Sequence, residues 1–119
     1  MKPPSFAPSY LWLYPILAET ANKHGYALAV HGSLTRDFDL IAVPWIEEAD
    51  TPESLYAAIV AVSGNYIMPQ NFYTLPTVKE HNRLCWSICL ECGAYIDFSV
   101  IPPVAAREKS GLDLDSERV

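Results

Sequence analysis

A small α/β (α+β) domain, with helices packed on a small mixed β-sheet, is the fold class this sequence predicts. Three observations predict it. Residues 26–31 and 38–43 are short apolar runs separated by a Gly-Ser break, the pattern of two successive strands. Residues 83–91 and 94–101 are again strand-like around Cys92-Gly93, the pattern of a hairpin. Between and before these pairs lie two stretches with apolar residues at helical spacing. The order is helix, strand, strand, helix, loop, strand, strand, which suits two packed layers.

The elements follow in order. Residues 1–8 hold three prolines and read as an extended lead-in. Residues 9–24 read as a helix, with Leu13, Ile16, Leu17 and Ala21 on one stripe and Gly25 as its stop. Pro15 implies that the regular helix either starts near Tyr14 or kinks at that point. Residues 26–31 predict a buried strand, and residues 38–43 a central one that Pro44 ends. Thr51-Pro52-Glu53 is a helix start: a hydroxyl cap, a proline in the first turn and an acid near the positive end of the dipole. Leu55, Ala58, Ile59 and Val62 form its expected stripe, and Gly64 its stop. Residues 65–78 read as a long loop with room for a short strand or turn, and Pro102-Pro103 ends the last strand. One domain over residues 9–104 and a polar C-terminal tail over 105–119 complete the layout.

At 119 residues, half of them hydrophobic, the chain suffices for one packed core. The formal charge of −6 argues against non-specific nucleic-acid binding, which needs a basic face. It leaves room for a nucleotide bound through a metal, because the metal supplies positive charge. The odd set of Cys85, Cys89 and Cys92, with no signal-peptide pattern, suggests a reducing cytoplasm. The apolar run 10–18 is too short to span a bilayer, so no membrane association is expected.

Asp37 and Asp39 open the second predicted strand. Two residues apart in a strand, both side chains fall on one face. Carboxylates held side by side repel and resist burial unless a positive partner lies between them. A hard divalent ion, Mg²⁺ or Mn²⁺, suits such oxygen donors together with substrate phosphates. In the last strand Ile96, Phe98 and Val100 alternate onto one face, leaving Asp97 and Ser99 on the other. If that strand lies beside the Asp37–Asp39 strand, three carboxylates converge on one sheet face. Such a set can hold two metals that align a triphosphate with an attacking hydroxyl.

Gly32-Ser33, then Asp37-Phe38-Asp39-Leu40, then Tyr95-Ile96-Asp97-Phe98 together resemble the nucleotidyltransferase fold superfamily related to DNA polymerase β. The same stretch is similar to short phage-associated proteins with a His-Gly-Ser…Arg-Asp-x-Asp-Leu run. The resemblance implies a nucleotidyltransferase-like fold, with Asp37, Asp39 and Asp97 as metal ligands and catalytic groups. It implies Gly32 and Ser33 at the phosphates of a nucleoside triphosphate, whose nucleotidyl group passes to an unknown acceptor. Only Leu34, Thr35 and Arg36 separate Gly-Ser from the first aspartate, where family members usually have a longer segment. The family's extra helical domain, which binds the second substrate, would here come from a partner protein or a second subunit in a homo-oligomer. The alternative function is a non-catalytic, phage-derived binding or accessory protein that keeps the fold.

Other residues carry open or weaker readings. Arg36, beside the acid pair, either contacts phosphate as part of the nucleotide site or pairs with Asp37 or another acid. His31 is a strand-end histidine that can also stack on a base or act as a general base. His24 suits a helix C-terminus. Cys85, Cys89 and Cys92 match an iron–sulfur spacing, but Cys85 and Cys89 in one strand lie roughly 13 Å apart, too far to share a cluster. They read instead as core or half-buried thiols, and a zinc site with His81 lacks converging ligands. Tyr10, Trp12 and Tyr14 read as core or oligomer contacts.

Overall fold

The computed structural model describes residues 7–32, 34, 37–64, 75–90 and 95–104, with side chains from Tyr10 onward. The elements are α1 (Ala7–Lys23), β1 (Tyr26–His31), β2 (Asp37–Pro44), α2 (Pro52–Ser63), β3 (Thr77–Val78), β4 (Leu84–Cys89) and β5 (Tyr95–Val100). A 3-10 turn at Glu80–Asn82 joins β3 to β4. The strands form one sheet in the order β1-β2-β5-β4-β3. β2 and β5 run parallel and every other neighbour pair is antiparallel, so the sheet is mixed, as the sequence predicts.

α1 does not start near Tyr14, the first of the two arrangements that Pro15 allows. The helix begins at Ala7 and runs through the proline, which lies in its interior. The bond that Pro15 cannot donate would have gone to the Leu11 carbonyl. Pro15 and Leu11 lie on the exposed side of the helix, where water can serve that carbonyl. The buried stripe is Tyr10, Leu13, Leu17 and Ala21; Ile16, expected within it, is exposed. Gly25 ends the helix at φ +91°, and a Cβ there would meet the Ala49 backbone at 2.8 Å.

β1 is an edge strand rather than a buried one. Tyr26 and Leu28 face the core, while Ala27 and Ala29 on the opposite side are exposed. β2 is interior to the sheet, between β1 and β5. α2 starts as its cap predicts: the Ser54 amide donates to Thr51 Oγ1 at 3.2 Å, with Pro52 at the first helical position. Its buried stripe is rotated from the expected one, taking Leu55, Tyr56, Ile59, Val60 and Ser63 and leaving Val62 exposed. The reason is aromatic: Tyr56 stacks on Trp86 of β4, with ring centroids 4.6 Å apart. Ser63 stays satisfied by donating to the Ile59 carbonyl at 2.7 Å.

Both helices pack on one face of the sheet, formed by the even-numbered strand residues. Phe38, Leu40 and Ala42 of β2, Trp86 and Ile88 of β4, and Ile96, Phe98 and Val100 of β5 join the helix stripes in one core. Tyr10 stacks on Phe38 at 4.8 Å, and Tyr14 donates its hydroxyl to the Leu28 carbonyl at 2.6 Å. Two of the three predicted aromatics of α1 are thus core contacts, whereas Trp12 is 73% exposed. The Cys92-Gly93 turn and the C-terminal tail lie outside the described residues, but the antiparallel pairing of β4 with β5 is that of the expected hairpin. Among the described residues, no helix is long and apolar enough to cross a membrane.

Candidate metal centre

The odd-numbered strand residues turn away from both helices. Register places His31 of β1 opposite Asp39 of β2, Asp39 opposite Asp97 of β5, and Asp97 opposite Ser87 of β4. Four polar side chains thus form one row across four strands on the open face. Asp37 lies one side-chain step along β2 from Asp39, on the same face. One carboxylate oxygen from each of Asp37, Asp39 and Asp97 lies within 4.8 Å of the others. The parallel pairing of β2 with β5 produces this convergence, since it sets the two acid-bearing strand beginnings side by side.

The cost of this crowding falls on Asp97. Burial, then a hydrogen bond to Asp39 and the charge of Asp39, push its carboxyl above the usual carboxylate range. The Ser87 hydroxyl and His31 act in the opposite direction. An all-oxygen donor set of this size fits a hard divalent ion.

Gly32 has a definite geometric part. Its φ is +82°, and a Cβ built on it would overlap the Asp39 carboxylate. The glycine thus makes room for the second aspartate. Ser33 and Arg36, the other residues expected at the nucleotide, lie outside the described residues.

A cleft of about 440 Å³ opens over the same face, lined by His31, Asp39 and Asp97 at one end and by Lys79 and Arg83 at the other. Thr77, Cys85, Ser87 and Ser99 form part of its lining. Arg83 donates to Ser99 Oγ at 2.7 Å, and Ser99 is 3% exposed although it points away from the helices. Sequence reading placed Ser99 on the acid face but missed Lys79, Arg83 and Ser87. The signal was parity, which becomes readable only once the hairpin registers are known.

The remaining candidates separate from the centre. Cys85 and Cys89 are half-buried on the open face of β4, and Cys92 lies outside the described residues. His81 is exposed in the 3-10 turn. Among the described residues the aspartate trio is the group of acids, histidines and cysteines close enough to share a metal ion. His24 bonds Asp50 through Nδ1 as the chain leaves α1. No protein-family model matches the chain, and no curated protein matches it either.

Proposed function

We propose that this protein is a minimal metal-dependent nucleotidyltransferase. The observation that carries the reading is the convergence of Asp37, Asp39 and Asp97 from two parallel neighbouring strands. Isolated surface acids spread apart to lower their repulsion. Here three are held together, and the backbone beside them is a glycine that clears space for one carboxylate. The three aspartates would hold Mg²⁺ or Mn²⁺. Such an ion, when bound, neutralises phosphate charge and makes an acceptor hydroxyl more acidic.

The chain's own residues supply position. Asp37, Asp39 and Asp97 together would hold the ion against the phosphates of a nucleoside triphosphate. The acceptor oxygen attacks the α-phosphorus, the bond to the bridging oxygen breaks, and pyrophosphate leaves with its electron pair. The hydroxyl proton passes to a nearby base, a role open to His31 in the same row. We place the protein in a reducing cytoplasm, which suits its odd set of three cysteines.

Titration with ATP or GTP, with and without Mg²⁺, tests the reading. Metal-dependent binding that is lost in Asp37→Asn with Asp39→Asn is expected. Binding indifferent to metal or to both substitutions would overturn it.

One observation favours a second reading. Leu11 and Trp12 expose 63% and 73% of their surface on α1. That suits a binding or accessory protein, of the phage-associated kind the sequence resembles, which works through a partner or a second copy. Sedimentation analysis of the wild type and Trp12→Ser would show whether α1 mediates self-association.

A further inference from the structure

We infer that Lys79 and Arg83 form an anion-binding pole that takes the phosphate chain of a polyphosphate; this deepens the nucleotidyltransferase reading and rests on it for the metal end. The chain is acidic overall, and Lys23, Lys79 and Arg83 are the lysines and arginines among the described residues. Lys23 pairs with Glu19 on α1. The other two line the cleft that holds Asp39 and Asp97.

Their placement is deliberate in structural terms. The β3–β4 pairing continues past Val78 and Leu84, with the Lys79 amide donating to the Arg83 carbonyl at 2.7 Å. Lys79 and Arg83 are therefore cross-strand neighbours at the mouth of the hairpin, on the same face as Thr77 and Cys85. Like charges in that position destabilise a hairpin. The turn that holds them also contains two consecutive non-glycine residues in the left-handed region, His81 at φ 62° and Asn82 at φ 61°. The fold thus tolerates repulsion and strain to present two cations side by side.

Those cations do not serve to neutralise the acids. Among the described residues, neither lies within ion-pair distance of a carboxylate. Arg83 instead leans on the Ser99 hydroxyl, which is neutral and leaves most of its donors open. Ser99 is two residues beyond Asp97 on β5, roughly 7 Å along the strand. That span is about the reach of one phosphoryl group, so a phosphate held at the acids would come within reach of the guanidinium. A second phosphoryl group then reaches Lys79. The open face carries two like-charge pairs of opposite sign, Asp39 with Asp97 and Lys79 with Arg83, and a metal-bound polyphosphate satisfies both.

Calorimetric titration of the full chain with sodium tripolyphosphate tests this in two arms. With Mg²⁺, the wild type should bind, and Arg83→Gln or Lys79→Gln should each weaken binding about tenfold, as loss of a charge-assisted contact does. Arg83→Lys should retain most of the affinity. Without metal, the Asp39→Asn, Asp97→Asn double variant should bind tripolyphosphate through the cations alone, and adding Arg83→Gln should abolish that binding. Lys79 is exposed, so its variant reads the pole even if Arg83→Gln fails to fold. Unchanged affinity in both single variants, or inorganic phosphate binding as tightly as tripolyphosphate, would overturn the inference. Metal-free binding by the acid-neutral variant, with no Mg²⁺ dependence in the wild type, would uphold the pole and sink the metal reading instead.

Discussion

The two faces of the sheet are built on opposite terms. The even-numbered face is apolar and closed by both helices; Phe98, Ile96 and Val100 on β5 are fully buried. The odd-numbered face of the same strand carries Tyr95, Asp97 and Ser99. Burial on the first face stabilises the fold, whereas the crowding of Asp39 against Asp97 on the second works against it. One strand thus supports the fold through Ile96, Phe98 and Val100 and gives up stability at Asp97 between them.

Substitutions on the two faces should separate accordingly. The largest effect belongs to the closed face: Phe98→Ala should cost about 3–5 kcal/mol in a denaturant titration, by leaving a cavity among Trp86 and its neighbours. Gly32→Ala comes next. The left-handed backbone alone should cost roughly 1–2 kcal/mol, and the new Cβ should displace the Asp39 carboxylate, so calorimetry should show metal binding weakened with stability. Thr51→Ala should cost about 1 kcal/mol by removing the cap of α2, with metal binding unchanged, since that cap belongs to the helix layer.

The smallest effect should also have the opposite sign. Asp97→Asn should raise the melting temperature of the metal-free protein near neutral pH. The Asp97 carboxyl is pushed above its ordinary value of 3.8 in the folded state. Between that value and the raised one, the folded chain holds more protons than the unfolded chain, so stability falls as pH rises. Above the raised value the penalty is complete; below 3.8 it vanishes, because both states are protonated. Thermal melts across that range should show the advantage of Asp97→Asn shrinking toward acid pH. A destabilised Asp97→Asn protein at neutral pH would place Asp97 with the structural residues and erase the contrast between the faces.

Much of this contrast was readable from period alone. Alternation in residues 96–100 separated Asp97 and Ser99 from the core, and the two-residue spacing put Asp37 and Asp39 on one face. The joining of β2 to β5 was a conditional expectation, because strand neighbours distant in sequence leave no local mark. The same limit hid the cationic pair: Lys79 and Arg83 are four apart in sequence, and only the three-residue turn between them makes them opposite. β1 reads as buried from sequence because its outward-facing Ala27 and Ala29 are as apolar as residues of an interior strand. The buried stripe of α2 is rotated from the one its apolar spacing predicts because Tyr56 joins the core through Trp86, which lies on a strand distant in sequence. Pro15 stands inside α1 rather than in its first turn, and the carbonyl it leaves without a donor lies on the exposed side of the helix.

The central claim is that Asp37, Asp39 and Asp97 make one divalent-metal site. Mn²⁺ binding followed by electron paramagnetic resonance, in the wild type and in Asp97→Asn, tests it most directly. The account predicts a bound-ion population in the wild type that Asp97→Asn abolishes while the protein stays folded. Equal Mn²⁺ binding by the two proteins, or none by the wild type even with nucleotide present, would contradict it.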